Sequence, residues 1–389
     1  MRPSQQNQDA VKVGKAIYFL TNEKENAVVA LPIDKNGMLS NGTVTTTGGA
    51  GSIAINGANG QPGVPDALVG QSALTVVGNV SWRIFAVNAG SNTLTMLSIS
   101  PSDPTCLTVK GQPVAVPGEF PNTVAASSKN NLVCVGTTGA KAGISCASFS
   151  AGRGLGEMDA LRPFDIGQST PPVGPTNTVS QTFFSNDQSV LFTTVKGNPA
   201  VNNTGFLSVF NVVANNSGVS ALSTKDVRSS PNGTAVLFGS APIPGRRNSL
   251  FVTDASFGAA ILSLDRNWQA SVSRAQAIEG QAATCWATIS GATNSAYVTD
   301  VAMNRVVEMS LQDASIISQL DLSANGDPGL IDLKSAGNFV YALSPGNATT
   351  AAAVTVLDVS GSQGSMKMAQ HFELAGIAGN TAQGMAVLI

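Results

Sequence analysis

Short hydrophobic segments, most of which end on a polar residue, recur along the whole chain. In residues 250–254, Leu-Phe-Val-Thr-Asp precedes a short turn and a second hydrophobic segment at residues 258–264. Seven copies of the first segment occur 44 to 66 residues apart, at residues 18–22, 84–88, 133–137, 191–195, 250–254, 296–300 and 340–344. An aromatic residue holds the second place in every copy except the third, which has Cys134. Segments of this length, bounded by Gly, Asn, Pro and Asp, predict β-strands.

A unit of four short strands that returns at this interval is typical of a propeller blade. The sequence therefore predicts an all-β fold, a seven-bladed β-propeller of four-stranded antiparallel blades. Six blades are predicted to be contiguous, at residues 71–116, 122–164, 177–227, 234–279, 283–322 and 329–374.

The remaining blade is predicted to join the two ends of the chain. Three strands are expected near residues 16–22, 27–33 and 40–47, and a C-terminal segment at residues 383–389 resembles the first strand of the other blades. We expect this C-terminal strand to become the innermost strand of the N-terminal blade. Such a closure removes the exposed sheet edges that an open array would leave.

The composition is compatible with one large domain. The 389 residues are 43% hydrophobic and 11% charged, with a formal net charge of −2. Because a closed ring of repeats behaves as one unit, residues 1–389 are predicted to form a single propeller domain, with residues 1–14 as a disordered tail. No Lys/Arg cluster and no apolar run of membrane-spanning length occur. We therefore expect a small-molecule partner rather than nucleic acid or a membrane.

Polar residues stand where the predicted first strands begin, at one mouth of the central channel. This set comprises Gln71, Asn122, Asn177, Thr234, Thr284 and Gln383, and Trp286 follows on an inner strand. Loops rich in Pro and Gly surround the same mouth, at residues 117–121, 169–175 and 325–328. Convergence of the blades on one axis brings such residues together, and a concave site with amides and an aromatic face suits a small ligand.

Two interpretations of these polar residues stay open at this point. The first is that a small, largely apolar ligand binds at the mouth, in contact with Gln71, Asn122, Asn177, Thr284, Trp286 and Gln383. The second is that the amides only form hydrogen bonds with neighbouring strand ends and with water in the channel.

The sequence does not predict a metal site. Four second strands end on possible oxygen ligands, namely Asn22, Asn88, Asp254 and Asp300. They belong to different blades and form no compact calcium-binding loop, and Asn or Asp after a strand commonly makes a turn. The only histidine, His371, falls on a late outer strand and is interpreted as an ordinary strand residue. This position disfavours a zinc centre and histidine-dependent catalysis at the mouth.

The four cysteines bear on the compartment of the protein. Cys134 and Cys146 flank the turn at residues 137–143 almost symmetrically, which is compatible with a cross-strand disulfide, and plain core packing is the alternative. Cys106 and Cys285 are predicted to be buried free thiols. Six Asn-x-Ser/Thr sequons permit secretion, and the start of the chain lacks an apolar signal segment. We expect a secreted protein whose signal has been removed, with a cytoplasmic location as the alternative.

Several segments resemble a known group of proteins. Residues 85–93 and 297–300 resemble the repeat of seven-bladed lactonase-type propellers, and residues 117–127, 170–179 and 321–332 resemble fungal proteins described as 3-carboxymuconate cyclase-like. The resemblance covers nearly the whole chain. It implies secreted glycoproteins, and enzymes that open or form lactones without a metal or an organic cofactor. It also implies histidine, arginine and glutamate at the channel mouth.

The sequence departs from that family pattern at the mouth. No histidine is available there, and the charged candidates near it are Arg228, Glu119 and Asp327. A mostly neutral pocket favours an uncharged or aromatic ligand, so our first hypothesis is a cofactor-independent cyclase or pericyclase that acts by orienting its substrate. The second is a lactonase or lactonising isomerase, with Glu119 or Asp327 as the base and Arg228 holding an anion. The third is a non-catalytic secreted glycoprotein that serves as an antigen or adhesion surface.

Overall fold

Seven antiparallel sheets surround a central channel in the computed structural model, which describes residues 13–78, 81–214 and 219–389. This arrangement confirms the predicted all-β, seven-bladed propeller. The tail predicted at residues 1–14 lies almost wholly outside the described residues. The only helical elements within the described ranges are two short 3₁₀ turns, Pro199–Val201 and Ser323–Asn325. No helix in those ranges has the length and apolar character needed to cross a bilayer.

The strands of each blade follow one another from the channel outwards. Blade 1 contains Gln383–Leu388, Ala16–Leu20, Ala27–Pro32 and Thr43–Thr46. Blade 2 contains Leu74–Val77, Arg83–Asn88, Thr93–Ile99 and Leu107–Val109 with Val114–Ala115. Blade 3 contains Pro121–Ser127, Leu132–Thr137, Gly143–Ser150 and Gly154–Leu155 with Arg162–Pro163. Blade 4 contains Val179–Phe184, Val190–Val195, Phe206–Ala214 and Ser220–Leu222 with Val227–Ser229.

The last three blades are regular four-stranded sheets. Blade 5 contains Leu237–Pro242, Ser249–Asp254, Gly258–Leu264 and Ala270–Ala277. Blade 6 contains Thr284–Ser290, Ser295–Asp300, Arg305–Ser310 and Ile316–Asp321, and blade 7 contains Leu333–Ala336, Phe339–Ser344, Ala353–Asp358 and Lys367–Glu373. In blades 2, 3 and 4 the outermost position is shared by two short strands.

The repeated hydrophobic segment forms the second strand of every blade. The residues at its second place are all buried, and they are Phe19, Phe85, Cys134, Phe192, Phe251, Tyr297 and Tyr341. Both faces of these strands are covered because each blade packs against a neighbour on either side, so the strands are apolar in runs rather than in strict alternation. The core of the protein therefore lies between the blades.

The ring closes as the sequence predicts. The C-terminal strand Gln383–Leu388 pairs antiparallel with Ala16–Leu20, with Ile17 opposite Val387 and Tyr18 opposite Ala386. The C-terminal strand thus supplies the innermost strand of the blade that the N-terminal segment begins, and no blade is left without an inner strand.

Deleting residues 383–389 should destabilise the whole ring. The deletion exposes the edge of Ala16–Leu20 and the inter-blade core that Met385 and Leu388 cover. We expect the melting temperature to fall by roughly 10 °C or more in calorimetry. Ile389→Ala serves as the matched control, because this side chain is 44% exposed and should leave the melting temperature almost unchanged. An unchanged melting temperature in the deletion variant would contradict the role of closure.

Candidate functional site

The connection between blades 1 and 2 runs across the central channel. We call residues 65–72 the channel segment. Side chains from five blades form hydrogen bonds with its backbone, and these are Gln383 Nε2 to Pro65 O (2.9 Å), Asn122 Nδ2 to Leu68 O (3.2 Å), Lys196 Nζ to Val69 O (2.5 Å), Trp286 Nε1 to Gly70 O (3.3 Å) and Ser72 N to Asp332 Oδ2 (3.1 Å). The channel segment is therefore held by side-chain donors and acceptors from these blades, in addition to backbone bonds such as Val124 N to Ser72 O.

Gln71 extends this clamp across the channel. Its Nε2 donates to Ala287 O at 2.8 Å, its Oε1 accepts from Ala287 N at 3.2 Å, and its backbone N–H donates to Ser180 O at 2.8 Å. Gly239 lies so close that a Cβ atom there would be 2.5 Å from Gln71 Oε1. A side chain at this position would collide with the buried glutamine, so the approach of Gln71 requires glycine at residue 239.

Bulges in the inner strands aim side chains at the channel segment. The register shifts between Pro121 and Thr123 in blade 3, and between Thr284 and Ala287 in blade 6. The residues left unpaired by these shifts include Asn122 and Trp286, whose side chains reach the channel segment. A bulge bends a strand and redirects a side chain, so irregular pairing at the start of the inner strands builds this mouth.

A cavity of about 200 Å³ opens between the channel segment and blades 4, 5 and 6. Its walls are mostly apolar, and they include Ile55, Val64, Pro65, Val69, Pro175, Val236, Phe238, Ala283, Trp286 and Val301. The rings of Phe238 and Trp286 pack edge to face with centroids 4.8 Å apart. Three groups that can titrate also line it, namely Asp66, Lys196 and Cys285.

Asp66 presents a buried carboxyl to this cavity. The residue is half-buried as a whole, but its Oδ1 atom is buried and has no hydrogen-bond partner among the described residues. Burial raises the pKa of the Asp66 carboxyl to about 7, although the charge of Lys196 and the backbone N–H groups of Gly70 and Val69 oppose the shift. Near neutral pH, the carboxyl therefore exists in both protonated and ionised forms.

Lys196 places a buried amine beside the same cavity. Its side chain is 1% exposed, and its Nζ atom lies 4.2 Å from the centroid of the Phe238 ring. Burial lowers the pKa of Lys196 to about 8, and the negative charge of Asp66 acts in the opposite direction. Burial also raises the pKa of the Cys285 thiol, which is therefore neutral. No direct ion pair joins Asp66 to Lys196 within the described structure.

The six residues predicted to bind a ligand have different surroundings. Trp286 lies in the cavity wall and also donates to Gly70 O, Asn122 and Gln383 hold the channel segment, and Gln71 is part of that segment. Asn177 donates to Ile166 O and accepts from Asn203, in a neighbouring polar cavity of about 540 Å³.

Three buried oxygens in this set have no partner among the described residues, and they are Asn122 Oδ1, Thr284 Oγ1 and Gln383 Oε1. Ligand binding by the amides stays a prediction.

The three charged candidates from the sequence lie apart from one another. Glu119 pairs with Lys141 at 3.1 Å and accepts from Thr170 at 2.7 Å. Arg228 pairs with Asp226 at 2.7 Å, and its guanidinium stacks on aromatic rings of blades 3 and 4.

Asp327 is buried against the only histidine, with His371 Nε2 3.1 Å from its Oδ1 atom. Each candidate thus has a local partner, and their catalytic roles stay predictions.

Two of the side chains considered as oxygen ligands of a metal instead accept hydrogen bonds from the backbone or pair with a nearby arginine. Asp254 accepts from the N–H groups of Ala235, Val236 and Ser256. Asp300 accepts from Ala282 N and pairs with Arg305 at 2.9 Å. Among the residues that the structure describes, no group of three His, Cys, Asp or Glu side chains could hold a metal ion.

The cysteines differ in one respect from the expectation. Cys134 and Cys146 lie directly opposite each other in blade 3, with Cα atoms 4.1 Å apart and their sulphurs bonded. Cys285 is buried as expected. The prediction that Cys106 is buried is wrong, because Cys106 is exposed. Cys106 precedes the outermost strand Leu107–Val109 of blade 2, at the edge of that blade furthest from the channel.

Asp66 and Lys196 were missed in the sequence because neither belongs to a recognised motif. A weak signal exists for Lys196, since the fourth copy of the repeated segment ends on Val195 where the other copies place Asn, Asp, Thr or Ser, and a lysine comes directly after it. Second strands end at the mouth, so this lysine could have been placed there. Asp66 follows a run of Pro and Gly between two blades and gives no such signal.

Known proteins share this architecture. No described protein family and no curated protein matches the sequence. Among solved structures, the periplasmic gluconolactonase of Pseudomonas aeruginosa has a TM-score of 0.67 and 13% identity, over 96% of this chain and 99% of that one.

Two putative 6-phosphogluconolactonases are also similar. The protein from Bacteroides uniformis has a TM-score of 0.56 and 15% identity over 74% of this chain and 80% of its own. The protein from Bacteroides fragilis has a TM-score of 0.52 and 12% identity over 78% of this chain and 80% of its own. At these identities the likeness establishes a fold shared with lactonase-type propellers. The finer resemblance to fungal 3-carboxymuconate cyclase-like proteins is not confirmed by them.

Asn122→Ala should destabilise the protein by loosening the channel segment. The change removes the donor to Leu68 O and Val179 O, two buried carbonyls. We expect the free energy of unfolding to fall by about 2–4 kcal/mol in chemical denaturation. Asn203→Ala is the matched control, because exposed Asn203 also makes two side-chain hydrogen bonds and should cost less than about 1 kcal/mol. Equal losses in the two variants would contradict the clamping role.

The pH dependence of stability should reveal the buried state of Asp66. Its pKa is about 7 when folded and 3.8 in the reference state, so the folded protein binds more protons between these values. Ionisation of Asp66 therefore lowers the free energy of unfolding as the pH rises from about 4 to 7. Over this pH range, we expect the free energy of unfolding of Asp66→Asn to rise by about 1–3 kcal/mol relative to that of the parent protein, measured by denaturation at each pH.

Asp187→Asn gives a control of opposite sign. Hydroxyl groups of Ser189 and Ser185 lower the pKa of Asp187 to about 2. This variant should lose stability relative to the parent protein as the pH rises from about 2 to 4, and the difference should then stay level. If the difference in free energy of unfolding between Asp66→Asn and the parent protein does not change with pH, Asp66 is not buried as described.

Proposed function

We propose that this protein is a lactonase-type hydrolase that opens a small, uncharged cyclic ester in the cavity beside the channel segment. The observation that carries the proposal is the presence of one carboxyl and one amine, both buried, at the same apolar cavity. The fold shared with gluconolactonases is a second support. The proposal assigns the acid–base role to Asp66 and the electrostatic role to Lys196.

Asp66 acts as the general base on water. Its Oδ1 atom has no described partner and is free to accept a proton, and a pKa of about 7 matches the strength of a base that works near neutral pH. As the water oxygen attacks the ester carbonyl, its proton moves to the carboxylate. When the ring C–O bond breaks, the protonated carboxyl returns that proton to the alkoxide oxygen. The product is a hydroxy acid, and Asp66 ends in its initial form.

Lys196 stabilises the negative charge that develops on the carbonyl oxygen. One of its N–H groups donates to Val69 O, which leaves two others in its protonated form. Because the surroundings are apolar, a donor fixed beside the reacting oxygen acts more strongly than it does in water. The backbone of Val69 and the ring of Phe238 hold the amine in place before the substrate arrives.

The lining of the cavity favours an uncharged substrate. Lys196 is the one cationic side chain among the described lining residues, and the carboxyl of Asp66 faces the same space. An anionic group on the substrate would meet the carboxylate of Asp66 with no second cation to offset it. The rings of Trp286 and Phe238 offer an apolar surface to a lactone ring or to an alkyl substituent.

Cofactor-free cyclisation is a second candidate, because the apolar cavity with Trp286 in its wall also suits an unsaturated substrate. The same carboxyl and amine could move a proton within a bound molecule without consuming water. Reaction in ¹⁸O-labelled water separates the two candidates. Hydrolysis places the label in the carboxylate of the product, and cyclisation leaves the product unlabelled.

We also propose that the protein works outside the cytosol. The bonded pair Cys134 and Cys146 supports this location, since such bonds persist in oxidising compartments. One of the similar structures is that of a periplasmic protein.

Lactone hydrolysis tests the proposal directly. We expect δ-valerolactone to be hydrolysed with a kcat/KM at least about tenfold above that of anionic 6-phosphogluconolactone. The pH profile should rise through about 7 as Asp66 ionises and fall above about 8 as Lys196 loses its proton. Asp66→Asn should lower kcat by roughly 100-fold or more, measured by titration of the released acid.

Variants of the other carboxylates complete this test. Asp313→Asn changes an exposed carboxylate of blade 6 and should leave kcat unchanged. Glu119→Gln and Asp327→Asn examine the bases suggested by the sequence. If one of these two abolishes turnover while Asp66→Asn keeps it, the assignment of the base to Asp66 is wrong. If no lactone is hydrolysed by the parent protein, the proposed activity is wrong.

A further inference from the structure

Lys196 is a buried lysine that lacks a carboxylate partner. Its Nζ atom has one hydrogen-bond acceptor within the described structure, the carbonyl oxygen of Val69. By contrast, Lys141 and Lys367 pair with Glu119 and Asp358 at 3.1 and 3.4 Å. A protonated amine has three N–H groups and is costly to bury with a single acceptor. The geometry at Lys196 therefore favours the neutral amine.

We propose that Lys196 is a nucleophile that forms an imine with a small apolar aldehyde or ketone bound in this cavity. The inference goes beyond lactone hydrolysis and does not depend on it, because it requires only the cavity, the amine and a nearby acid. A lysine desolvated in an apolar pocket is the usual form of an amine nucleophile in proteins.

The charges around Lys196 set the availability of the amine. Burial lowers its pKa to about 8, and the facing groups are Asp66 and Cys285, with Asp332 acting in turn on Asp66. At pH 7, a lysine with this pKa is neutral about 300 times more often than one at the ordinary value of 10.5. The neutral amine still donates one N–H to Val69 O, which holds the nitrogen while its lone pair stays free.

Asp66 supplies the acid for this chemistry. The nitrogen lone pair attacks the carbonyl carbon, and the C=O π electrons move to oxygen, which takes a proton from the Asp66 carboxyl. The nitrogen then returns a proton to the carboxylate, giving a neutral carbinolamine. The protonated carboxyl next assists departure of the hydroxyl as water, and the resulting iminium loses its proton to the carboxylate. One carbonyl compound and one amine thus yield one imine and one water, with no other reactant.

The cavity defines the class of carbonyl compound. About 200 Å³ accommodates a single substituted ring, and Phe238 and Trp286 line the side beside the amine. The described lining offers no second cation for a phosphate or carboxylate group. We therefore infer an uncharged aromatic or alkyl aldehyde or ketone rather than a sugar phosphate or a keto acid.

Reductive trapping tests the inference on the intact protein. The protein is incubated with benzaldehyde and sodium cyanoborohydride at pH 7, and the modified lysine is located by peptide mass mapping. We expect one predominant adduct on Lys196, formed at least about tenfold faster than on any other lysine, as its larger neutral fraction requires. Pyridoxal 5′-phosphate, which is larger and anionic, should instead label exposed lysines and spare Lys196.

Two variants sharpen the result. Lys334→Arg changes a lysine at the opposite mouth of the channel, 3.7 Å from Asp332, and should leave the adduct intact. Lys196→Arg should abolish it, with circular dichroism as the check on folding. Mapping of the unmutated protein decides the question even where Lys196→Arg does not fold. Absence of an adduct on Lys196, or its formation no faster than on Lys334, overturns the inference, whichever result the lactone assay gives.

Discussion

The clamping of the channel segment by hydrogen bonds is the constraint on which this structure depends. Blades of a propeller contact only their neighbours, yet donors and acceptors from blades 1, 3, 4, 6 and 7 meet on residues 65–72. The carbonyls they bind would otherwise be buried without partners, which costs more free energy than a typical hydrogen bond contributes. The segment therefore ties together blades that are far apart around the ring.

The unusual electrostatics of the mouth follow from the same segment. By crossing the channel it carries Asp66 into an apolar space and covers the amine of Lys196, so that burial moves the two pKa values towards each other. Neither group obtains a direct ion-pair partner there. A pair of side chains with similar pKa values near neutrality is a common basis of acid–base chemistry, and in this protein the backbone path creates it.

Much of the fold could be predicted from the sequence, and little of the site could. The second strands all carry the same apolar pattern, with Phe85 and Tyr297 at equivalent places, because every blade meets the same packing requirement. Ring closure followed from the likeness of residues 383–389 to other inner strands. The meeting of Asp66 and Lys196 at one cavity has no such pattern, because it is set by the path of the channel segment and by main-chain acceptors such as Val69 O. A backbone carbonyl has no signature in an amino-acid sequence.

The side chain of Gln71 lies between two separate cavities of the channel. Its hydrogen bonds to Ala287 and its close approach to Gly239 fix it between the cavity lined by Trp286 and a cavity of about 350 Å³ that contains Lys334. A molecule bound beside Asp66 therefore has a hydrogen-bonded glutamine rather than a loose side chain at the inner end of its cavity, and both cavities share this one rigid partition.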